Sequence, residues 1–506
     1  MSTNYDIDFL KDFAKSEGIT DSEGYIKEPE PQETDPDYLR LALLSPEKGF
    51  NEIKMAEIFG KLYRGRIRYN TTAKGFCKYN GKYWESDSGN VTAKTIAKDF
   101  YGLLMKYAFK AVNDTNIREP FVKFCNRYSG KRTRDALLDD SITELAISEN
   151  DFDKNLNLFN VRNGTINLET LQLQPHNPDD LITNYSNTEY IQGAKSALWE
   201  KFLNDILVTE SGYTDKDLVS FVQKMYGYTL TGNPELERMF ILYGATTRNG
   251  KGTLTASILN VFGTYQRTML PTTLQARATD SAKASEDIAR LATCRLVSCS
   301  ETPQGMIFDA ALLKTLTGND IMTARRLFEN SFEFKPKFSI FMNTNHLPKV
   351  IDTTIFDSDR VNIIPFNRHF SADERDETLK AKLAADESKT AILNWLIEGL
   401  QKYRSESLKL PMNVSIATRM YEKNNDKLMT FLDETYLPAK EGEYKLTLTA
   451  CYEDYKQWCD SCGYSAEGRN KFADKLRGKQ LLLEKATIDG KTAKRVIVGY
   501  GDKINE

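Results

Sequence analysis

Apolar residues recur along the chain in distinct rhythms. Trp199, Phe202, Leu203 and Ile206, then Leu218, Phe221, Val222, Met225 and Tyr226, fall three or four positions apart. That spacing predicts helices with one buried face. Met239 to Tyr243, Leu296 to Cys299 and Phe338 to Met342 are short, mostly apolar runs, and another strand follows Arg360. Such runs read as strands buried on both faces. Ile321 to Lys337 instead alternates, which predicts a β-hairpin with a polar tip. Asn80-Gly81 and Asn163-Gly164, each between apolar stretches, predict two more hairpins. Near the end come helices at Cys451–Cys459 and Gly468–Gly478, then a hairpin turning at Asp489-Gly490. Two helices and a hairpin predict a winged helix.

These rhythms divide the chain. Residues 1–40 carry eleven Asp/Glu against three Lys and one Arg, with prolines at 29, 31 and 36. They read as an acidic mobile tail with room for a short helix at Tyr5–Ser16. Residues 41–195 read as an α+β N-terminal accessory domain and 196–405 as an α/β domain. Residues 406–506 read as a helical linker followed by the winged helix. The net charge of −3 over 506 residues gives no global attraction to nucleic acid, so any such surface must be local. No apolar run is long enough for a membrane helix and no export signal precedes the chain, which predicts a cytoplasmic protein without a membrane partner. Seven cysteines fit a reducing compartment. Cys459 and Cys462 have half the spacing of a zinc site but lack neighbouring ligands, and read as helix-end cysteines.

The chemistry concentrates behind the first apolar run. Gly244-Ala245-Thr246-Thr247-Arg248-Asn249-Gly250-Lys251-Gly252-Thr253 joins a strand to a helix. Strand, glycine loop, lysine and helix is the arrangement that holds nucleotide phosphates. The helix start adds its positive dipole end, and Lys251 suits the β- and γ-phosphates. The spacing departs from the usual pattern: Ala245 stands where the first glycine is expected and Gly252 where the Mg²⁺-binding hydroxyl is expected. Thr253 comes one place late. Glu301 falls at the end of the second run, where a carboxylate can polarise water. Ser300 occupies the usual first acid position, leaving Thr253 and Glu301 as the Mg²⁺ candidates. Asn345 ends the third run with an amide able to sense a γ-phosphate. Arg360 is a candidate arginine finger, with a salt bridge to Asp357 or Asp359 as the plain alternative. Lys314, Arg325, Arg326, Lys335 and Lys337 give the hairpin region local positive charge suited to a DNA strand. Residues 464–503 hold ten Lys/Arg against five Asp/Glu. Arg469, Lys471 and Lys475 there are candidate duplex-DNA contacts.

Taken together, these residues resemble the superfamily 3 helicases, specifically the phage/plasmid primase–helicase family, over roughly residues 60–440. Asn249-Gly250-Lys251-Gly252-Thr253 looks like its Walker A motif, and Ser300-Glu301 is similar to its Walker B. Leu316 to Asp320 with Thr323 to Arg326 looks like the approach to its DNA-binding hairpin. Phe334 to Pro348 resembles motif C, with Asn345 as sensor. Arg360 falls at the finger position, although Ser358-Asp359 departs from the family's usual residues. Asn163-Gly164 with Pro175-His176-Asn177-Pro178 looks like the accessory domain. The resemblance implies a P-loop AAA+-like ATPase core using ATP and Mg²⁺, assembled as a homohexamer. It also implies 3′→5′ movement on single-stranded or forked DNA in replication of a phage or mobile element. The basic C-terminal module adds origin duplex as a candidate partner, beside replication proteins of the host or element. A stand-alone helicase is expected, because residues 1–60 are too few for a primase domain. An ATP-switched initiator and, more remotely, a primase are the alternatives.

Overall fold

The computed structural model describes residues 46–504 except 234, 277–283, 326–330, 357–358, 441, 463 and 489. The acidic stretch 1–40, with its expected helix at Tyr5–Ser16, lies outside the described residues, as does Arg326. No helix among the described residues is long and apolar enough to cross a membrane.

The N-terminal part mixes helices and strands as the pattern predicts. Asn51 opens the helix Glu52–Tyr63 by accepting a 2.8 Å hydrogen bond from the Lys54 N–H. That helix and Val91–Ala111 share a core around Phe59, Phe100 and Phe121. Beside it lies a four-stranded sheet in the order Trp84–Ser86, Gly75–Tyr79, Ile67–Asn70, Ala146–Ile147. Gly81 takes φ +94 at the first hairpin, as Asn-Gly foretold. The second hairpin turns one residue earlier than its Asn-Gly suggests: Val161 pairs with Gly164, so Arg162 and Asn163 form the turn. Gly164 is needed for a different reason. A Cβ there would sit 2.5 Å from the Gln174 carbonyl oxygen on the next strand, Gln172–Gln174.

The central domain is a parallel sheet between helices. Its strands are β1 (Met239–Tyr243), β2 (Gln266–Met269), β3 (Leu296–Ser300), β6 (Ser339–Thr344) and β7 (Val361–Pro365), with β4 (Met322–Arg325) and β5 (Ser331–Phe334) forming a separate hairpin. The sheet order is β7-β1-β6-β3-β2 and every pair is parallel. Alternation explains the apolar runs. Phe240, Leu242, Phe341 and Ile364 enter one core with Leu254, Ile258 and Val261 of α1 (Lys251–Phe262). Met239, Ile241, Ile340, Met342 and Ile363 enter a second core with Leu313 and Leu316 of α2 (Ala310–Thr317). A strand covered on both faces has no use for polar residues on either.

Two long helices close the first face. Lys216–Thr229 and Asp386–Glu406 approach so closely that a Cβ on Gly399 would lie 2.1 Å from the Gln223 carbonyl oxygen. A Cβ on Gly227 would lie 2.3 Å from the Leu400 nitrogen. Glycine at both contact points permits the crossing.

Packing does not break where the sequence divisions at 195 and 405 were drawn. Phe159, Val161, Ile166, Leu168 and Tyr190 belong to the same core as α1, and so does Val414. Tyr421 belongs to the second core. A distinct C-terminal core begins at Leu428 and runs through Phe431, Tyr455, Phe472 and Ile497. There the helices Lys427–Thr435, Leu448–Ser461 and Arg469–Gly478 carry an antiparallel hairpin, Leu482–Ile488 with Lys491–Ile497. Cys451 and Cys459 are buried in this core. No metal-binding cluster of His, Cys, Asp and Glu occurs among the described residues.

Candidate nucleotide site and its basic surroundings

The carboxyl ends of β1, β6 and β3 lie side by side, which brings the glycine loop, Asn345 and Glu301 to one edge of the sheet. Ligands of open parallel sheets bind at such an edge. Gly250 caps α1 at φ +85, and a Cβ there would lie 2.4 Å from Ile206 Cγ2. A Cβ on Gly244 would meet Asn249 Nδ2 at 2.1 Å. Both positions therefore demand glycine. Gly252 has nothing within 4 Å of an added Cβ, so open space stands where a hydroxyl is customary.

The loop's carbonyls and its N–H groups meet opposite fates. The Asn345 amide donates to the Gly244 and Thr246 carbonyls, and Asn249 Nδ2 donates to Thr246 O at 2.8 Å. The Phe370 N–H donates to Arg248 O at 3.0 Å, and His369 Nδ1 lies 2.9 Å from Thr247 O. Among the described residues, no N–H from Ala245 to Gly252 donates to a protein acceptor. Carbonyls tied down outside and donors unspent inside make a loop suited to an anion.

Lys251 is only 6% exposed, and its Nζ reaches the Gly244 carbonyl at 3.4 Å. Burial pulls its ammonium down to about 8. A desolvated lysine with one carbonyl for company gains from an incoming phosphate charge. Glu301 is exposed at the end of β3 in a left-handed conformation, φ +59. Its N–H donates to the Asn343 carbonyl at 3.1 Å, while its carboxylate pairs with nothing among the described residues. Backbone strain at a strand end and an uncommitted carboxylate recur at reactive centres. Sequence reasoning marked Asn343 as one of the strand-end amides but missed its partner Thr255. Asn343 lies opposite Ser300 in the sheet, and its amide exchanges hydrogen bonds of 2.9–3.1 Å with Thr255 Oγ1 on α1. This pair fixes α1 against β6 directly behind Lys251. Its only sequence signal was an asparagine two places before Asn345.

Arg360 is engaged within its own chain. Its guanidinium lies 2.6 Å from Glu237 Oε2 and donates to Thr317 Oγ1 at 2.7 Å and to the Lys314 carbonyl. Its side chain is 13% exposed, and the preceding Asp359 pairs with Arg238 instead. Arg360 thus braces the start of β7 to β1 and α2. The expected partner was Asp357 or Asp359. Asp357 lies outside the described residues and Asp359 is taken by Arg238.

Part of the expected positive charge is committed within the fold. Lys337 turns inward, donating to the Asp153 carbonyl at 3.0 Å, and burial lowers its ammonium. It joins a buried junction with Arg295, which donates to the Leu158 and Leu230 carbonyls and stacks over Tyr265. Lys314 pairs with Asp352 at 2.9 Å. These two do not offer the expected free positive charge. Arg325 and Lys335 are exposed on the hairpin, whose inward positions are Met322, Ala324, Phe332 and Phe334. On the C-terminal helix Arg469–Gly478, Lys475 pairs with Glu467 at 2.7 Å and Arg469 donates to Thr449 Oγ1. Lys471 is exposed and makes no ion pair among the described residues.

Parts of the chain resemble known proteins. Residues 56–208 match the family described as D5 N terminal like, and residues 242–360 match a family of unknown function, DUF5906. The protein named "Putative helicase L207/L206" of Acanthamoeba polyphaga mimivirus is 24% identical over 61% of this chain and 33% of its own length. "Putative helicase 022R" of Frog virus 3 is 26% identical over 51% of this chain and 28% of its own length. By these matches the chain is similar, over part of its length, to viral proteins named as putative helicases. It spans about a third of the length of the curated relatives it matches. A solved apo structure of the NrS-1 C-terminal region, residues 305–718, covers 92% of this chain at 10% identity, and 100% of that structure is covered, with a TM-score of 0.48.

Proposed function

We propose that this chain is an ATP-driven replicative DNA helicase of superfamily 3, working as a homohexameric ring on single-stranded and forked DNA. The observation that carries the reading is the glycine loop after β1: its N–H groups are unspent while its carbonyls are tied down. That donor set fits a triphosphate. ATP with Mg²⁺ would supply the free energy of phosphoryl transfer. The chain's own residues then have separable tasks. Backbone N–H groups from Ala245 to Gly252 and the Lys251 ammonium hold phosphate charge. Thr253 and Glu301 offer oxygens toward the metal. Glu301 also accepts a proton from an attacking water, for which its unpaired carboxylate is free. Asn345 holds the loop's shape from behind, so a change in the loop reaches β6 through it.

The β4–β5 hairpin, with Arg325 and Lys335 outward, is the strand-engaging element, and movement is expected to run 3′→5′. The C-terminal helices and hairpin read as a winged helix presenting Lys471 to duplex DNA, including origin duplex. Open space at Gly252 and the serine at 300 favour a second reading, an initiator in which slow hydrolysis makes ATP an assembly switch. Strand displacement on a forked substrate separates the two. Displacement that requires ATP and Lys251 supports the helicase. ATP-dependent binding to duplex without displacement supports the initiator.

A further inference from the structure

Resting on the nucleotide reading above, we propose that the turn at Val208–Thr214 and the segment Asn367–Phe370 form the seat for the nucleoside part of the ligand. Tyr213 is its stacking face, and Thr209 and His369 supply polar contacts. Asn367–Phe370 borders the glycine loop directly, and the turn is tied to that segment. The helix Ala197–Ile206 ends with Ile206 against Gly250. The chain then folds back on itself: Val208 bridges to Thr214, and the Thr209 N–H donates to the Tyr213 carbonyl at 2.8 Å. Gly212 takes φ +83 at the bend. Asp215 closes the turn, its N–H donating to Leu207 O while its carboxylate caps the next helix at Leu218. The second segment is pinned to the loop's outer limb through Phe370 N–H to Arg248 O and His369 to Thr247 O. Asn367 Nδ2 ties the two segments together by donating to Val208 O at 3.2 Å.

Two features of this seat lack any explanation within the fold. Tyr213 is 76% exposed on a turn that is otherwise held by hydrogen bonds. Thr209 Oγ1 is enclosed and has no hydrogen-bond partner among the described residues. A rigidly mounted aromatic face suits a flat heterocycle, which any base provides. An enclosed hydroxyl without a partner suits a ligand's donor or acceptor. Since the phosphates are read onto the N–H side of the loop, the remainder of a nucleotide meets the segments bordering that loop.

The test is calorimetric titration of the full chain with ATP and, separately, with inorganic tripolyphosphate, both with Mg²⁺. Tyr213→Ala is expected to weaken ATP binding about tenfold and leave tripolyphosphate binding unchanged. Tyr213→Phe is expected to restore ATP binding. A Tyr213→Ala protein that binds ATP normally, or loses both ligands equally, overturns the seat. Lys251→Ala is expected to lose both ligands. If it loses neither, or if the native chain binds neither, the nucleotide reading falls and the seat falls with it.

Discussion

The glycine loop and the basic hairpin are built from opposite materials. At the loop, the donors are backbone N–H groups whose direction follows from glycine positions and from the start of α1. At the hairpin, every proposed contact is a side chain free to find another partner. Lys337 has found the Asp153 carbonyl, and Lys314, on the preceding helix, has found Asp352. The loop keeps its chemistry because the surrounding side chains satisfy only its carbonyls. The hairpin region loses part of its charge because acidic groups and carbonyls distant in sequence fold against it. A site made of main chain survives folding in the form its motif implies. A site made of long cations must be rechecked one residue at a time.

The largest effect expected from breaking this contrast is at Lys251. Lys251→Ala should lower ATP hydrolysis by roughly a hundred- to a thousandfold, the scale of losing one charge stabiliser in an enclosed site. Circular dichroism should be unchanged, since the ammonium reaches only a 3.4 Å carbonyl in the fold. Hydrolysis within a factor of two of the native rate would remove the loop from the mechanism. Glu301→Gln should follow at about a hundredfold or more, the usual worth of a positioned base. Here ATP binding by titration should remain near native, which separates proton acceptance from phosphate holding.

Much of the central domain was legible because apolar rhythm reports burial directly. The mostly apolar runs at β1, β3 and β6 are strands covered on both faces, and β4 pairs antiparallel with β5 within the alternating stretch. Rhythm says that a face is covered, not what covers it. Phe159 and Val161 therefore read as part of an accessory domain, although they enter the core with α1. Side-chain partners were illegible for the same reason. Glu237 lies 123 positions from Arg360, and Asp153 lies 184 from Lys337. Asn345 was found, but its amide turns to the loop's carbonyls, a direction that no spacing could supply.

Arg360 gives the next largest effect, and on stability. Arg360→Ala leaves Glu237 and Thr317 without their partner and should cost about 1–3 kcal/mol, read as a lower denaturation midpoint. Below its lowered midpoint, Arg360→Ala alone should keep its hydrolysis rate within a few-fold of native. Loss of hydrolysis in that variant, partly restored by mixing with Glu301→Gln subunits, would return Arg360 to a role between subunits. A smaller effect compares the two hairpin lysines. Lys335→Ala should weaken single-stranded DNA binding and flatten the salt dependence by about one unit of slope. Lys337→Met should leave that slope unchanged and lower thermal stability instead, because its ammonium is spent on Asp153 O. Equal slopes for both variants would mean the buried lysine reaches DNA after all.

The smallest expected effect is in pH. Burial holds the Lys251 ammonium at about 8, below the usual lysine value of 10.5. The sign for folding is unfavourable: the unfolded chain binds this proton more tightly, so the penalty is fully present below about pH 8. It fades as pH rises through 8 and is gone only above 10.5, where both states are neutral. For an anionic ligand the sign reverses. Phosphate favours the charged lysine, so ATP affinity should be flat below pH 7 and fall above pH 8 as the free protein loses the proton. Tripolyphosphate should follow the same curve, because the titrating group faces phosphate alone. In Lys251→Arg, which stays charged throughout, any remaining affinity should show no fall between pH 8 and 9.5. An equal fall in that variant would assign the titration to another group and leave the buried ammonium without a part in binding.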